Sequence, residues 1–408
     1  MLIFGYDEFI DGEPTTNGFK FTGTKSPVNL GLFGYRTKNN IKDSEVSLIS
    51  KVCSPFHPHH HHDMKKFFDI EVKKIDEIKD KYYYVIDVFP NEFWESLESR
   101  YPDIGGRAIS DIKNGRAKIL VLFPLEPLRE HTDISGLFNT WVANYNLPSR
   151  SIVVISGNHS FGNKIKKDKC ITYIPYSMWE HLMSQLYSDN VKERLISAIL
   201  NKTTRKKVFL SYNRMARPYR CRLVYLLQES GALNSGFVSL GNMQGAHDTR
   251  IPDDFYEKLP MTFDDTDLEI NHASELIEKD FLDSYVSLVS ETDTLAGNVF
   301  PTEKIFKAIM GIHPFIVLAA PGFLEMMKGL GYKTFSRWFN ESYDAEPHLE
   351  LRTRMIISEI KKLTIKPKSE LQDMLVEMLP HLKHNLNNFL ERTKSKEFQK
   401  ELESELWR

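Results

Sequence analysis

The feature that most constrains this chain is the form of its apolar segments, which are short, uninterrupted and separated by helical patterns. Residues 82–89 (YYYVIDVF) run to Pro90, and residues 117–123 (AKILVLF) stop at Pro124. Residues 151–156 (SIVVIS) close on Gly157-Asn158, and a fourth run covers 171–174. A strand with one solvated face alternates apolar and polar residues. Continuous runs between helices mean strands covered on both sides, hence a parallel sheet with helices on each face. Near Asn201 the pattern restarts, with strands expected at 208–212, 237–240, 285–290 and 315–319. Helices are expected at 93–99, 178–200, 219–228, 273–279, 302–310 and 323–328, with a long one around 349–363. Pro367 and the box-like Ser369-x-x-Gln372 open helical segments to the carboxyl terminus, interrupted near Pro380. No internal repeat is visible. The expected architecture is α/β: two doubly wound, Rossmann-like domains at 1–200 and 201–365, and a helical tail at 366–408 packing back toward the first.

Charge and cysteine usage narrow the function. A formal net charge of −2 over 408 residues gives no global field for nucleic acid or an anionic membrane. Cys53, Cys170 and Cys221 are far apart and form no CxxC pair, which fits a reducing compartment. The first residues lack the basic and apolar regions of a secretory signal, and no apolar run approaches a membrane span, so a cytoplasmic protein without membrane insertion is expected. The run from His57 to His62 reads as a solvated loop next to two prolines and is assigned no role.

Two segments carry the chemistry. Lys202, Arg205, Lys206, Lys207, Arg214, Arg217, Arg220 and Arg222 occur with no acidic residue between them. Arg214 falls just past the end of the 208–212 strand, on the rim where open α/β sheets bind ligands. Arg217 and Arg220 flank Pro218 at a helix start, where each cation opposes the helix dipole by about 0.5 kcal/mol. An anion sharing the site would relieve that cost; a solvated basic helix start or an RNA-contacting patch are the alternatives. The second segment is Glu291-Thr292-Asp293 followed by Pro301-Thr302-Glu303-Lys304: a buried strand, a loop, and a helix whose first turn holds an acid beside a base. Backbone N–H groups there and Lys304 suit phosphate, and Glu303 can accept both hydroxyls of a ribose. Pro301 fits a first helical position.

The second half resembles the carboxyl-terminal donor-binding domain of GT-B glycosyltransferases, nearest to fucosyltransferase-like and exostosin-like enzymes and to glycosyltransferases common in phage genomes. The likeness rests on FLSYNRMARPYR (209–220), SLVSET (287–292), PTEKIFKAIMGIHPFIV (301–317) and LGYKTF (330–335). It implies a GT-B arrangement of two facing domains and a nucleotide diphosphate sugar bound by Asn213, Arg214, Arg217, Arg220, Thr302, Glu303 and Lys304. Glu303 would take the donor ribose, Lys304 the diphosphate and Arg214 the leaving phosphate. Glu291 would lie near the transferred sugar or the nucleotide. Retaining enzymes of this kind often place seven residues between two glutamates; here Glu291 and Glu303 have eleven between them. The anomeric outcome therefore stays open.

Cleaving a sugar–phosphate bond builds negative charge on the leaving diphosphate. A helix start, Lys304 and Arg214 aimed at that charge make a divalent metal unnecessary. No cofactor or metal is expected, and Asp264-Asp265-x-Asp267 reads as chance acidity in an exposed stretch. An inverting reaction needs a base on the acceptor hydroxyl. Glu126, after the 117–123 strand, is the candidate, with Asn158 and His159 as alternatives. The acceptor is expected to be a glycan or, on the phage likeness, a modified DNA base, with host cytoplasm as the location in that case. A non-catalytic nucleotide- or carbohydrate-binding protein that keeps the donor fold is the alternative from another class.

Overall fold

The computed structural model describes residues 1–6, 68–87, 104, 106–123, 134–162, 171–262 and 276–408. The His57–His62 run, the helix expected at 93–99, Glu126 and the Asp264–Asp267 acids lie outside them. Ten strands are described: β1 Leu2–Tyr6, β2 Ile70–Lys74, β3 Tyr82–Asp87, β4 Ala117–Phe123, β5 Ile152–Ser156, β6 Ile171–Pro175, β7 Lys207–Asn213, β8 Gly236–Leu240, β9 Ser284–Ser290 and β10 Phe315–Leu318. The α-helices are α1 Gly106–Lys113, α2 Ile134–Tyr145, α3 Met178–Ser184, α4 Asp189–Leu200, α5 Pro218–Glu229, α6 Asp253–Tyr256, α7 Glu278–Leu282, α8 Glu303–Met310, α9 Phe323–Gly329, α10 Leu349–Thr364, α11 Lys368–Lys394 and α12 Glu397–Trp407. The chain divides into two units, Met1–Met178 with Lys394–Arg408, and Trp179–Thr393.

The first unit is built on a parallel sheet in the order β2-β1-β3-β4-β5-β6. Tyr82, Tyr83, Tyr84 and Val85 are all buried, so the uninterrupted run in β3 does reflect helices or loops over both faces. Helix α12 returns to this sheet. The Glu405 side chain, only 3% exposed, accepts from Lys118 Nζ at 3.0 Å, Arg150 Nη2 at 2.8 Å and Thr172 Oγ1 at 2.9 Å. Tyr83 also donates to the Leu402 carbonyl at 2.7 Å. Lys118, Arg150 and Thr172 stand at or just before the starts of β4, β5 and β6. The helix is therefore fastened to the amino-terminal edge of the strands.

The second unit has a parallel sheet in the order β10-β9-β7-β8. Right-handed crossovers then send the β7–β8 connection to one face and the β9–β10 connection to the other. The two connections part between β7 and β9, the switch point at which ligands enter sheets of this kind. Helix α8 buries Ile305, Phe306, Ala308, Ile309 and Met310 against the core, as its apolar spacing requires.

Three expectations need correction. The segment expected to be helical over 178–200 is two helices, because Ser188 takes an extended conformation (φ −141°, ψ 124°) and restarts the chain as α4. Helix α11 runs through Pro380 unbroken. Buried Met378, Leu379 and Leu382 hold both sides of the proline, and that packing offsets the one missing hydrogen bond. Nor does Ser369 cap this helix: the Pro367 carbonyl already accepts from Glu370 N at 3.0 Å and Leu371 N at 3.2 Å, so Ser369 lies within the first turn.

Candidate functional site

At the carboxyl end of β7 the chain turns at Arg214. Two loops meet there. Gly241, just past β8, donates its N–H to the Asn213 carbonyl at 2.8 Å. A Cβ on Gly241 would sit 1.7 Å from the Arg214 carbonyl oxygen, so only glycine permits this approach. Asn213 itself is fully buried, its Nδ2 donating to Ser211 Oγ at 3.1 Å, and presents no surface to a ligand. Arg214 is exposed and its guanidinium has no hydrogen bond or ion pair among the described residues.

Helix α5 then braces the end of β9. Arg217 donates through Nη1 to the Thr292 carbonyl at 2.5 Å and through Nε to Gln244 Oε1 at 3.2 Å. Tyr219 Oη donates to the Glu291 and Thr292 carbonyls at 2.7 and 2.9 Å. Arg220, 3% exposed, reaches the Ser290 and Glu291 carbonyls at 3.2 and 3.1 Å and the Met215 carbonyl at 3.2 Å. The sequence pointed to a bound anion as the balance for Arg217 and Arg220. Carbonyl oxygens perform that role, and both cations act on the 290–292 backbone. Burial, with Arg217 nearby, holds the Arg220 guanidinium below its ordinary range.

The start of α8 is a closed network around Thr302. Its hydroxyl caps the helix by accepting from Lys304 N at 3.4 Å, accepts again from Lys304 Nζ at 3.1 Å, and donates to Glu291 Oε2 at 2.5 Å. Glu291 is wholly buried; its other partners are Thr302 N on Oε1 and Thr292 N on Oε2, each at 3.3 Å. Burial raises its pKa, and Lys304 and Thr302 offset only part of that effect. This carboxylate holds the helix start in place and is closed off from solvent. Lys304 Nζ also donates to Glu303 Oε1 at 2.6 Å and Thr292 Oγ1 at 3.2 Å. Burial pushes the Glu303 carboxyl up, but Lys304 and then Lys307 outweigh it and hold the group below the usual carboxylate range.

Arg214, Glu303, Lys304 and Lys307 line one pocket with Tyr212 and Ser287, and Leu210, Phe281 and Val289 form its apolar wall. The lining sets Arg214, Lys304 and Lys307 against Glu303, with Lys304 paired to Glu303 and Tyr212 donating to Asp280 Oδ2, at the β7–β9 switch point. Of the expected ligand-binding residues, Arg214, Glu303 and Lys304 meet here, with Thr302 immediately behind. Lys307, Tyr212 and Ser287 were not anticipated. Lys307 was legible, being three residues after Lys304 and four after Glu303 on one helical face. Ser287 and Tyr212 were not, because they are ordinary strand residues until the sheet order is known.

The other base candidates stand in the first unit. The Asn158 side chain closes a local turn, its Oδ1 accepting from Ser160 N at 3.0 Å and Ser160 Oγ at 2.8 Å. His159 is half-buried just beyond it. Among the described residues no group of acidic, His or Cys side chains could hold a metal ion, and no helix is long and apolar enough to cross a membrane.

No protein-family model matches the chain, and no curated protein matches it. A solved structure of an alpha1,3-fucosyltransferase is similar at 14% identity and a TM-score of 0.32, over 76% of this chain and 82% of that one. A likeness at that level carries no argument, so the reading below rests on the pocket.

Proposed function

We propose that this chain is a glycosyltransferase using a nucleotide diphosphate sugar as donor, with no metal required for departure of the diphosphate. The observation that carries the proposal is the pocket at the β7–β9 switch point, where an exposed Arg214 without a counter-ion among the described residues joins Lys304 and Lys307. A cation already held in place, as Lys304 is by Thr292, Thr302 and Glu303, stabilises charge that appears in the transition state with little reorganisation. Lys304 meets the diphosphate and Arg214 the leaving phosphate. Glu303, held ionised by its neighbours, accepts from ribose hydroxyls. Thr302 and Glu291 set the position of Lys304, and Arg217, Tyr219 and Arg220 set the position of Glu291.

Calorimetric titration with a panel of ribonucleoside diphosphates tests this directly. One member should bind, and Lys304→Ala and Arg214→Ala should each weaken it about tenfold, the value of one charge-assisted contact. Arg214 is exposed, so its variant should melt with the parent; Lys304→Ala also removes hydrogen bonds to Thr292, Thr302 and Glu303, so its melting temperature should fall as well. Wild-type protein that binds no diphosphate refutes the reading. Binding without donor-dependent release of free nucleoside diphosphate, across acceptors offered, would identify a non-catalytic binder.

A further inference from the structure

Behind the cations, the pocket wall contains a hydroxyl whose orientation is dictated by a buried histidine. Ser287 lies in the middle of β9, opposite Leu210 of β7, and is 4% exposed. Its Oγ is 2.9 Å from His313 Nδ1. His313 follows the Gly311-Ile312 turn that ends α8 and is itself 1% exposed. Its Nε2 stands 2.5 Å from the Ser284 carbonyl oxygen. A carbonyl can only accept, so Nε2 carries the proton. Burial and then Arg205 push the imidazole pKa down to about 3, which keeps the ring neutral and leaves Nδ1 with a lone pair. The Ser287 hydroxyl must then point its single proton at Nδ1. What it can offer the pocket is lone pairs alone.

Serine, histidine and an orienting oxygen also describe an activated nucleophile. That role fails here, since an imidazole that protonates only in strong acid cannot take a proton from serine near neutrality.

We propose that Ser287 is a specificity-determining residue: a fixed acceptor that selects a ligand ring bearing an uncharged hydrogen-bond donor. This rests on the donor-binding reading above. A phosphate oxygen would meet lone pairs with lone pairs at Ser287, so phosphates stay with Arg214 and Lys304. A hydroxyl of the transferred sugar, or an N–H of the nucleobase, satisfies the deeper position beside Leu210, Phe281 and Val289. Either group leaves a buried acceptor unpaired when it is absent, which is the condition for strong discrimination.

The test compares wild type with Ser287→Ala by calorimetry, using the ribonucleoside diphosphate that binds and its glucose conjugate. A loss of about fivefold to tenfold is expected for one removed hydrogen bond. A loss confined to the conjugate assigns the sugar hydroxyl, and an equal loss for both ligands assigns the base. Unchanged affinity for both ligands overturns the proposal while the proposed function stands. A wild type that binds neither ligand removes the proposed function, and this inference with it. Should Ser287→Ala not fold, nitrogen-15 NMR of the wild-type imidazoles decides. His313 should show a protonated Nε2 and an unprotonated Nδ1, unchanged from pH 8 to pH 5. A protonated Nδ1 would turn the serine proton toward the pocket and overturn the proposal.

Discussion

Replacing Glu291 with glutamine changes one atom and should nevertheless disturb the start of α8. Both carboxylate oxygens face donors: Oε1 the Thr302 amide, and Oε2 the Thr302 hydroxyl and the Thr292 amide. A glutamine NH₂ therefore meets an N–H in either flip. The Thr302 hydroxyl offers little relief, because Lys304 N and Lys304 Nζ already occupy its lone pairs. The loss is one charge-assisted hydrogen bond in a fully buried place, about 2–3 kcal/mol. For a unit the size of residues 179–393, that lowers the melting temperature by roughly 5–10 °C. Thermal unfolding followed by circular dichroism reads the effect. Glu303→Gln serves as the comparison, since its side chain is 15% exposed and water can replace the lost contact; it should cost less. If Glu291→Gln melts with the parent protein, the carboxylate does not hold the helix start and the reasoning is wrong.

Two further predictions come from the same unit. His181 and His313 are buried, and burial pushes each imidazole pKa down to about 3, helped by Arg392 for the first and Arg205 for the second. The unfolded chain binds these protons near pH 6.5 and the folded one does not, so stability falls as pH drops below about 6.5, by about 2 kcal/mol per histidine at pH 5. The raised pKa of Glu291 works the other way and offsets part of this fall. Denaturant titrations at pH 8 and pH 5 give the sign, and a flat or rising stability would contradict the burial of these rings. Gly241→Ala forces a methyl into the Arg214 carbonyl; about 1–3 kcal/mol of destabilisation and weaker diphosphate binding should appear together. An alanine variant that melts and binds like the parent would show that the two loops do not touch.

The sheets were legible because a strand covered on both faces cannot hide its composition. β4, β5, β7 and β9 fall within a residue or two of where the apolar runs place them. β1 and β2 were not, since five residues such as LIFGY or IEVKK carry too little pattern to separate a strand from a loop. The proline in α11 misled for a related reason: propensity is local, and the packing of Met378 and Leu382 is not. In the candidate site, a pocket-lining Lys304 and a sealed Glu291 look alike as letters. Sequence could place both near the rim, but only the fold could tell the group facing the pocket from the one propping it up. Ser287 shows the limit most clearly, because the role proposed for it depends on a histidine 26 residues away and on which nitrogen of that ring holds a proton.

The attachment of α12 has a consequence for how the protein is made. The first unit contains residues 1–178, yet the carboxylate that ties together the starts of three of its strands is contributed by residue 405. During synthesis the helix that completes the first unit is made only after the whole of the second, residues 179–393. The half that leaves the ribosome first is thus completed last, once residue 405 has emerged to meet Lys118, Arg150 and Thr172.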